Sequence, residues 1–300
     1  METRQLECFV AVAEYMHFTK AAQAIHISQP ALSQQILKLE EEVGTKLLER
    51  TKRHVQLTPA GIAFRERAES ALQQIAEAAS HAQMVARGEA GLIRVAFVST
   101  ATIEILPKIL NKFCKRFPQV TVELVHLDPA EQLGAIERGN FSVGLTSISS
   151  PLPYLDRKLL VREKLVVALP HRHPAASQRT VDLKELSKDR FLLPPRSGLS
   201  GVHQGILQAC QRSGFVPRHV QTVKTAETAV FLVAGNTGIA LVPASFRRLN
   251  VTGVVYRPLR HEVPSIEIFA IRRKEHDSPL VDSFWEVAVS MAHKTTSAEN

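Results

Sequence analysis

The chain has 300 residues, of which 45% are hydrophobic and 22% charged, with a formal net charge of +8 at pH 7, as in an ordinary globular protein of two or three domains. No run approaches eighteen apolar residues and the N-terminus lacks the apolar segment of a signal peptide, so neither a membrane span nor secretion is predicted, and the expected compartment is the cytoplasm. Residues 1–88 contain ten basic and ten acidic side chains, so any affinity of this region for nucleic acid must come from a local surface.

Three cysteines are present, Cys8, Cys114 and Cys210, and no two of them form a CxxC motif. An odd number of widely spaced cysteines fits free thiols in a reducing compartment better than a disulfide framework or a zinc site. Cys114 and Cys210 fall in helical, partly apolar patterns. We therefore predict buried and inert thiols.

The first two predicted helices belong to a small N-terminal domain. Residues 4–16 form a helix whose apolar stripe would close the core of that domain. A shorter helix is predicted at residues 20–25, with Thr19 as its N-cap. The pattern then breaks at His26 and Ile27, which predicts a tight turn.

A third helix is predicted to begin at Ser28, a good N-cap, with Pro30 in the first turn where its missing amide donor costs nothing. Apolar residues then recur at intervals of four, three and four, which is the period of one buried helix face. These residues are Leu32, Ile36, Leu39 and Val43. The acidic run at residues 40–42 predicts that the end of this helix points away from a phosphate backbone.

The opposite face of the third helix carries short or amide side chains that suit contacts with DNA. The candidate DNA-binding residues on it are Ser28, Gln29, Pro30, Ser33, Gln34 and Lys38. Ser and Gln can hydrogen-bond to base edges, Lys can reach phosphate, and a helix fits the major groove. The pattern therefore predicts a recognition helix. The alternative is an amphipathic helix pair in a small bundle.

A stretch with strand character, residues 46–58, follows the predicted recognition helix. Its tip is basic, with Arg50, Lys52 and Arg53. A two-stranded wing beside the recognition helix would place these three side chains at a minor groove or on phosphates.

Residues 1–63 carry a family resemblance through the stretch RQLECFVAVAEYMHFTKAAQAIHISQPALSQQILKLEEEVGTKLLERTKRHVQLTPAG. This stretch resembles the winged helix-turn-helix of LysR-type transcriptional regulators, and the similarity continues more loosely to the C-terminus. The resemblance implies a DNA-binding domain at residues 1–58 with double-stranded promoter or operator DNA as its partner. For an activator it also implies RNA polymerase as a partner.

A long helix is predicted to begin at Thr58 and Pro59 and to end before Gly88. Within it small and apolar residues alternate in spacings of four and three, like a heptad seam. They are Ala68, Leu72, Ile75, Ala79, Ala82 and Ala86. Residues 59–88 would span roughly 45 Å, too long for a small domain to bury. We therefore expect a linker helix that forms a homodimer; packing on the chain's own C-terminal domain is the alternative.

From residue 92 onward strands alternate with helices, which predicts a parallel sheet in a doubly wound lobe. Residues 158–169 form a long predicted strand that leaves this lobe, and residues 266–271 return to it after a second series of strands and helices. The expected fold class is α/β, with an N-terminal winged helix-turn-helix, a long linker helix and a two-lobed domain enclosing a cleft.

The two-lobed region, residues 89–300, also resembles the periplasmic-binding-protein-like (type II) effector domain of the LysR family. The sequence segments that carry this resemblance are VDLKEL, LVAGNTGIALVP and GVVYRPL. The last segment resembles that of the family branch that activates the breakdown of aromatic compounds. We expect lobe 1 at residues 92–161 and 266–300, and lobe 2 at residues 162–265.

Candidate effector-binding residues follow the strands of lobe 1. Ligands of open α/β sheets bind at the carboxyl ends of strands, where helix N-termini supply amide donors for anions. The first strand ends near Ser99, Thr100 and Thr102, whose hydroxyls could hold a carboxylate, although one of them could simply cap a helix. The resemblance places effector contacts at Ser99. Thr146 and Ser147 end the third strand and are further candidates.

Other effector candidates lie after the second strand and in lobe 2. Pro129 stands where the benzoate and muconate responders of the family offer a hydroxyl, and its neighbour Asp128 would repel an anion unless it faces outward. Gly201 and Val202 close a Gly-rich loop that could form the opposing wall. Arg196, in the same loop, could pair with an acid.

The resemblance also places Arg162 and Glu227 near a second pocket. His171 and His173 stand two residues apart without a third ligand, so we assign no metal site and expect no cofactor.

The leading hypothesis is a dimeric or tetrameric LysR-type activator of a catabolic operon, responding to a small organic acid that is aromatic or dicarboxylic. A two-lobed domain alone would also suit a solute-binding protein of transport or an enzyme that uses the cleft. The first alternative requires export, and the second lacks a nucleophile elbow, P-loop or dinucleotide fingerprint.

Overall fold

The computed structural model describes residues 1–50, 54–148, 150–196, 201–260 and 265–292. The chain divides into two compact units, Met1–Met84 and Val85–Asn300. Within the described ranges, no helix combines the length and the apolar character that crossing a membrane requires.

The N-terminal unit is a winged helix-turn-helix, as predicted. Its elements are α1 (Thr3–Tyr15), α2 (Phe18–Ala24), α3 (Gln29–Val43), β1 (Leu48–Arg50), β2 (Val55–Leu57) and α4 (Pro59–Ala86). β1 and β2 form an antiparallel pair from Leu48↔Leu57 to Arg50↔Val55, which is the predicted wing.

The core of this unit joins α1, α2, α3, the wing and the first part of α4. Leu32, Ile36 and Leu39 of α3 are completely buried, which confirms the predicted apolar face. The Phe9 ring of α1 meets the Phe64 ring of α4 edge-on, with the ring centroids 5.2 Å apart. The start of α4 is therefore part of the N-terminal core.

The turn between the first helices corrects one prediction. The cap of α2 is His17, whose Nδ1 accepts a hydrogen bond from the Lys20 backbone N–H at 3.4 Å, and Thr19 lies inside the helix. The helix begins earlier because Phe18 packs against the core and joins the first turn. The predicted break holds: His26 adopts a left-handed backbone with φ of 55°.

The start of α4 is held against the wing. The Thr58 hydroxyl accepts a hydrogen bond from the Gly61 N–H at 2.9 Å and donates one to the Lys46 carbonyl at 2.8 Å. A Cβ on Gly61 would lie 2.0 Å from the Leu47 carbonyl oxygen, so only glycine permits this close approach.

The predicted seam of α4 begins later than expected. Ala68 is buried in the core of its own unit, and Leu72 is half-buried against that core. Residues 73–83 are exposed on every side of the helix, including Ile75, Ala79 and Ala82. The part of the seam that is open to another chain therefore starts after Leu72.

The C-terminal unit alternates strands and helices. Its elements are β3 (Ala90–Phe97), α5 (Ile105–Arg116), β4 (Gln119–His126), α6 (Pro129–Glu137), β5 (Val143–Thr146), β6 (Leu155–Pro170), β7 (Arg190–Leu193), α7 (Val202–Arg212), β8 (His219–Thr222), α8 (Ala226–Ala234), β9 (Ile239–Pro243), β10 (Val254–Pro258), β11 (Ser265–Arg273) and α9 (Pro279–Ser290). A short 3-10 turn, Ser99–Ala101, follows β3.

Strand pairing separates this unit into two lobes. The strands follow the order β4-β3-β5-β11-β6-β9-β7-β8, with β10 also paired to β6. β3 runs parallel to β4 and β5, and β7 runs parallel to β8 and β9, as predicted for doubly wound lobes. β6 pairs antiparallel with β11 as far as Lys164 and with β9 from Leu165, so this strand passes from one lobe to the other.

The returning strand β11 and the helix α9 complete lobe 1. Phe284 of α9 is fully buried and meets the Phe113 ring of α5 with centroids 4.9 Å apart. The first and last parts of the two-lobed region thus share one core, which fixes the edge of the sheet where the candidate ligand residues lie.

Candidate functional site

The solvent-facing side of α3 carries the predicted DNA-binding residues. Gln29, Gln34 and Lys38 are exposed, and no described residue forms a hydrogen bond with their side chains. The Ser28 hydroxyl accepts from the Ala31 N–H at 3.4 Å, so it caps the helix, and Pro30 occupies the first turn. Two amides and one ammonium group are therefore available to a ligand along this face.

Arg50 of the wing is held against the recognition helix. Its guanidinium donates to the Ser33 hydroxyl at 3.3 Å, lies 3.5 Å from the Glu40 carboxylate and covers the Phe18 ring at 4.8 Å. The Arg50 and Ser33 side chains thus fix the wing to α3, and Ser33 is half-buried. Lys52 and Arg53, the other predicted wing contacts, lie outside the described residues.

Glu40, in the acidic run at the end of α3, has a structural role, and the direction of this helix end relative to DNA stays a prediction. Its side chain is buried, and one oxygen accepts from the Leu47 and Leu48 N–H groups at 2.9 and 3.0 Å. The other oxygen accepts from the Lys46 ammonium at 3.1 Å. Glu40 therefore joins α3 to β1 instead of repelling phosphate.

The pKa of Glu40 is lowered by these contacts. Burial raises the pKa of the carboxyl, but the hydrogen bonds from the Leu48 and Leu47 N–H groups and from Lys46 favour the charged form. The net effect lowers the pKa below its ordinary value, so the carboxylate is ionised at neutral pH.

The C-terminal unit contains a cavity of about 140 Å³ between its lobes. Lobe 1 contributes residues that follow β3, β4 and β5, and lobe 2 contributes residues that follow β7 and β8. Leu165 of β6 and Ile266 of β11, the two strands that cross between the lobes, also line it. The cavity therefore lies at the carboxyl ends of parallel strands, where the sequence predicted a ligand.

The lobe 1 wall of the cavity is mainly polar. Its polar residues are Ser99, Thr100, His126, Asp128 and Ser147. Four predicted effector residues line this wall: Ser99, Thr100, Pro129 and Ser147. Hydroxyl groups can donate to a carboxylate, so this wall suits the acidic end of a ligand.

The lobe 2 wall is mainly apolar. Its apolar side chains include Leu192, Leu193, Val202, Val223, Ala226 and Leu241, of which Val202 was predicted. The polar residues on this wall are Lys224 and Thr225. An amphipathic ligand could therefore place its apolar body against lobe 2 and its polar groups against lobe 1.

Three predicted effector residues do not line the cavity. Thr102 donates to the Ser99 carbonyl at 2.6 Å and closes the 3-10 turn. Thr146, the last residue of β5, is fully buried and does not line the cavity, whereas the next residue, Ser147, does. Gly201 has a φ of 63° and serves as the N-cap of α7, which carries Val202 into the wall.

Three polar cavity residues were not among the predicted candidates, namely His126, Lys224 and Thr225, and the direction of Asp128 was left open. His126 is the last residue of β4, and Lys224 stands between β8 and α8. Both therefore satisfy the rule that was applied to Ser99, namely a polar side chain at the carboxyl end of a parallel strand. For Lys224 the strand concerned is β8, the second strand of lobe 2, for which no candidate was predicted.

Other polar candidates lie away from this cavity. Arg162 pairs with Glu267 across β6 and β11, and Arg196 is exposed. A Glu227 carboxylate oxygen lies 3.4 Å from the Thr102 hydroxyl oxygen, a contact between the two lobes. His173 accepts from the Ala175 N–H at 3.1 Å and lies 3.2 Å from the Asp189 carboxylate.

Metal ligands do not cluster in the described part of the chain, where no group of three or more His, Cys, Asp or Glu side chains could hold an ion.

The three cysteines differ in exposure. Cys210 is fully buried, as predicted, and Cys8 is fully buried as well. Burial raises the pKa of the Cys8 thiol and raises that of Cys210 to about 11. Cys114 is exposed on α5, which corrects the prediction that it is buried. The buried thiols are therefore unreactive in the folded chain.

Two family models match the sequence. Residues 3–62 match the bacterial regulatory helix-turn-helix protein of the lysR family, and residues 86–292 match the LysR substrate binding domain. The first match covers the winged unit, and the second covers the two lobes.

Similar proteins extend the match over whole chains. The HTH-type transcriptional regulator AlsR of Bacillus subtilis is 35% identical over 302 residues, covering 100% of this chain and 99% of the relative. The Hca operon transcriptional activator HcaR of Escherichia coli is 35% identical over 289 residues, covering 95% and 96%. Full-length CbnR, crystallised in a complex with its target DNA, has a TM-score of 0.80 at 29% identity and covers 97% of this chain and 100% of its own.

These relatives are transcriptional regulators, which removes the alternatives of a transport protein or an enzyme.

Proposed function

The chain belongs to the LysR family of DNA-binding transcriptional regulators, and from this premise we propose that it activates a catabolic operon when a small organic acid occupies its interlobe cavity. The observation that carries the proposal is the pairing of a hydroxyl-rich wall in lobe 1 with an apolar wall in lobe 2. The activator role is supported by the relative HcaR, which is named as an operon activator.

We propose that residues 1–58 read DNA, that residues 59–88 join two chains, and that residues 89–300 bind the effector. On α3, Gln29 and Gln34 would contact base edges, and Lys38 would contact phosphate. Ser28, Pro30 and Ser33 would shape the contact surface, and Arg50, Lys52 and Arg53 would bind the backbone or the minor groove. A recognition helix paired with its copy suits a two-fold operator.

The exposed part of the α4 seam supports the proposed dimer. Ile75, Ala79 and Ala82 are spaced as a helical seam within residues 73–83, all of which are exposed. Small and apolar side chains at heptad spacing allow two helices to approach closely. Further pairing into a tetramer and contact with RNA polymerase are proposals for the DNA-bound assembly.

The dimer is tested by placing charge on and off the seam. Ala79→Glu is expected to shift the protein towards monomer in sedimentation equilibrium, because it buries a carboxylate in the contact. Ser80→Glu, one residue away and off the seam, is the matched control. If Ala79→Glu remained a dimer, α4 would not form the proposed dimer interface.

The regulator function is tested with purified full-length protein and the intergenic DNA upstream of its own gene. We expect fluorescence anisotropy to show tighter binding to this DNA than to random duplex at moderate salt, with an affinity that falls as salt rises. Transcription from the adjacent promoter in vitro should increase with the acid that stabilises the protein. Equal affinity for both duplexes, or repression by that acid, would contradict the proposal.

A further inference from the structure

Two opposite charges line the interlobe cavity from different lobes. Asp128 lines the lobe 1 wall and Lys224 lines the lobe 2 wall. Neither side chain forms an ion pair with another described residue. Neither charge is therefore neutralised by a described ion pair, although the Asp128 carboxylate also belongs to the capping box of α6.

The Asp128 backbone is fixed in place. Asp128 is the N-cap of α6 and forms a capping box with Glu131, whose carboxylate accepts from the Asp128 N–H at 3.2 Å. Pro129 occupies the first position of the helix and restricts the chain further. Asp128 is exposed and therefore stays at the cavity wall, where its carboxylate also belongs to the capping box of α6.

An ionised carboxylate accepts hydrogen bonds and cannot donate them. A ligand group beside Asp128 is thus favoured if it carries an O–H or N–H and disfavoured if it carries negative charge. The hydroxyls of Ser99, Thr100 and Ser147 can donate to a carboxylate, and the Lys224 ammonium can pair with it. One acidic group is therefore accommodated, and a second one meets repulsion.

We infer that the effector is a monocarboxylic acid that also bears a hydroxyl or amino donor, and that Asp128 excludes dicarboxylic acids while Lys224 binds the single carboxylate. This inference rests on the proposed function and narrows its effector class. The apolar wall of lobe 2 would contact the hydrocarbon body of the acid.

Matched acids test the inference on the full-length protein. An aromatic series consists of benzoate, 3-hydroxybenzoate and isophthalate, and an aliphatic series of 4-methylpentanoate, 2-hydroxy-4-methylpentanoate and isobutylmalonate. Within a series the acids share a body and differ by a hydrogen, a hydroxyl or a second carboxylate. In at least one series we expect calorimetry to give the hydroxy acid a dissociation constant about tenfold or more below that of the dicarboxylate.

Two variants assign the selectivity to residues. Asp128→Asn is expected to remove the discrimination, so that the dicarboxylate gains about tenfold in affinity. Asn caps helices as well as Asp does, so the fold should persist, and thermal unfolding without ligand checks this. Lys224→Met should weaken every acid about tenfold. The controls are Asp277→Asn and Lys188→Met, which alter exposed charges that do not line the cavity.

The outcomes separate this inference from the function on which it rests. A dicarboxylate that binds as tightly as the hydroxy acid, or an Asp128→Asn variant with unchanged selectivity, would overturn the inference. Binding of none of the six acids by a protein that recognises its operator would also overturn it and leave the DNA-binding role standing. The expected ranking in a protein that ignores its operator would overturn the proposed function instead.

Discussion

The two units present their functional side chains on different kinds of surface. In the N-terminal unit the candidate DNA-binding groups stand on the exposed face of one helix, α3, above a fully packed core. In the C-terminal unit the candidate ligand groups come from separate chain segments that meet around a cavity. The first surface is local in sequence, and the second exists only once the lobes have folded.

The two units also differ in how their buried polar groups are hydrogen-bonded. Glu40 of the N-terminal unit receives hydrogen bonds from two backbone N–H groups and Lys46. In the C-terminal unit the hydroxyls of Thr146 and Tyr256 are buried without a hydrogen-bond partner among the described residues. The buried carboxylate that links α3 to the wing is thus fully paired, whereas these two buried hydroxyls have no partner among the described residues.

Truncating Glu40 should produce the largest effect and should confine it to one unit. Glu40→Ala leaves the Leu47 and Leu48 N–H groups buried without an acceptor, and we expect a loss of about 3–5 kcal/mol in the free energy of unfolding of the N-terminal unit. The buried thiols report on each unit separately: labelling should accelerate at Cys8 and remain unchanged at Cys210.

Glu41→Ala, at the exposed neighbouring position, is the control for this variant. Cys114 is exposed and should be labelled first in every variant, so it serves as an internal reference. Equal acceleration at Cys8 and Cys210 would mean that the two units unfold together and would break the contrast between them.

Protonation of Glu40 should lower the free energy of unfolding less than truncation to alanine does, because the neutral acid keeps an acceptor oxygen. The folded-state pKa lies below the ordinary value of 4.5, so the carboxylate contributes stability above that pH, and this stability is lost as the pH falls through the folded-state pKa. Cys8 labelling after short acid exposure should show this loss. Glu40→Gln should flatten the pH dependence, and a wild-type slope in that variant would exclude Glu40 as its source.

A smaller effect is expected for Gln34, and only on one kind of DNA. Gln34→Ala should cost about 1–3 kcal/mol on the operator and little on random duplex, because an amide that reads a base edge contributes only at its own site. Fluorescence anisotropy on both duplexes measures the difference, with Gln74→Ala on α4 as a control. Equal losses of binding free energy on the two duplexes would mean that Gln34 does not recognise a base edge.

The smallest effect is expected at Ser99 in the cavity. Ser99→Ala removes one hydroxyl donor and should weaken binding of the effector acid by about 0.5–1.5 kcal/mol. Calorimetry on the full-length protein measures this loss, and Ser187→Ala, outside the cavity, is the control. Loss of operator binding in Ser99→Ala would mean that Ser99 supports folding. It would also mean that the DNA-binding surface and the cavity are not independent.

The N-terminal unit was largely predictable because its signals act over short distances. The caps at Ser28 and Thr58 bond to N–H groups three residues later, and the apolar period of α3 follows from helix geometry. The burial of Glu40 was not predictable in this way. Its partners lie on β1 and in the preceding turn, and nothing in an acidic run distinguishes a buried carboxylate from exposed ones.

In the C-terminal unit the strand and helix pattern predicted which edge of the sheet would hold a ligand. It did not predict which side chains would reach the cavity. Thr146 and Ser147 are adjacent in sequence, but only Ser147 lines the cavity, and the end of β5 that separates them is set by pairing with β3 and β11.

The sequence by itself determined the elements of this protein, because caps, turns and apolar periods are interactions between residues a few positions apart. Only the tertiary structure decided that Asp128 and Lys224 line one cavity and that Glu40 holds the wing to α3. These contacts depend on how separate elements pack, and packing is set by the whole core together rather than by any one segment.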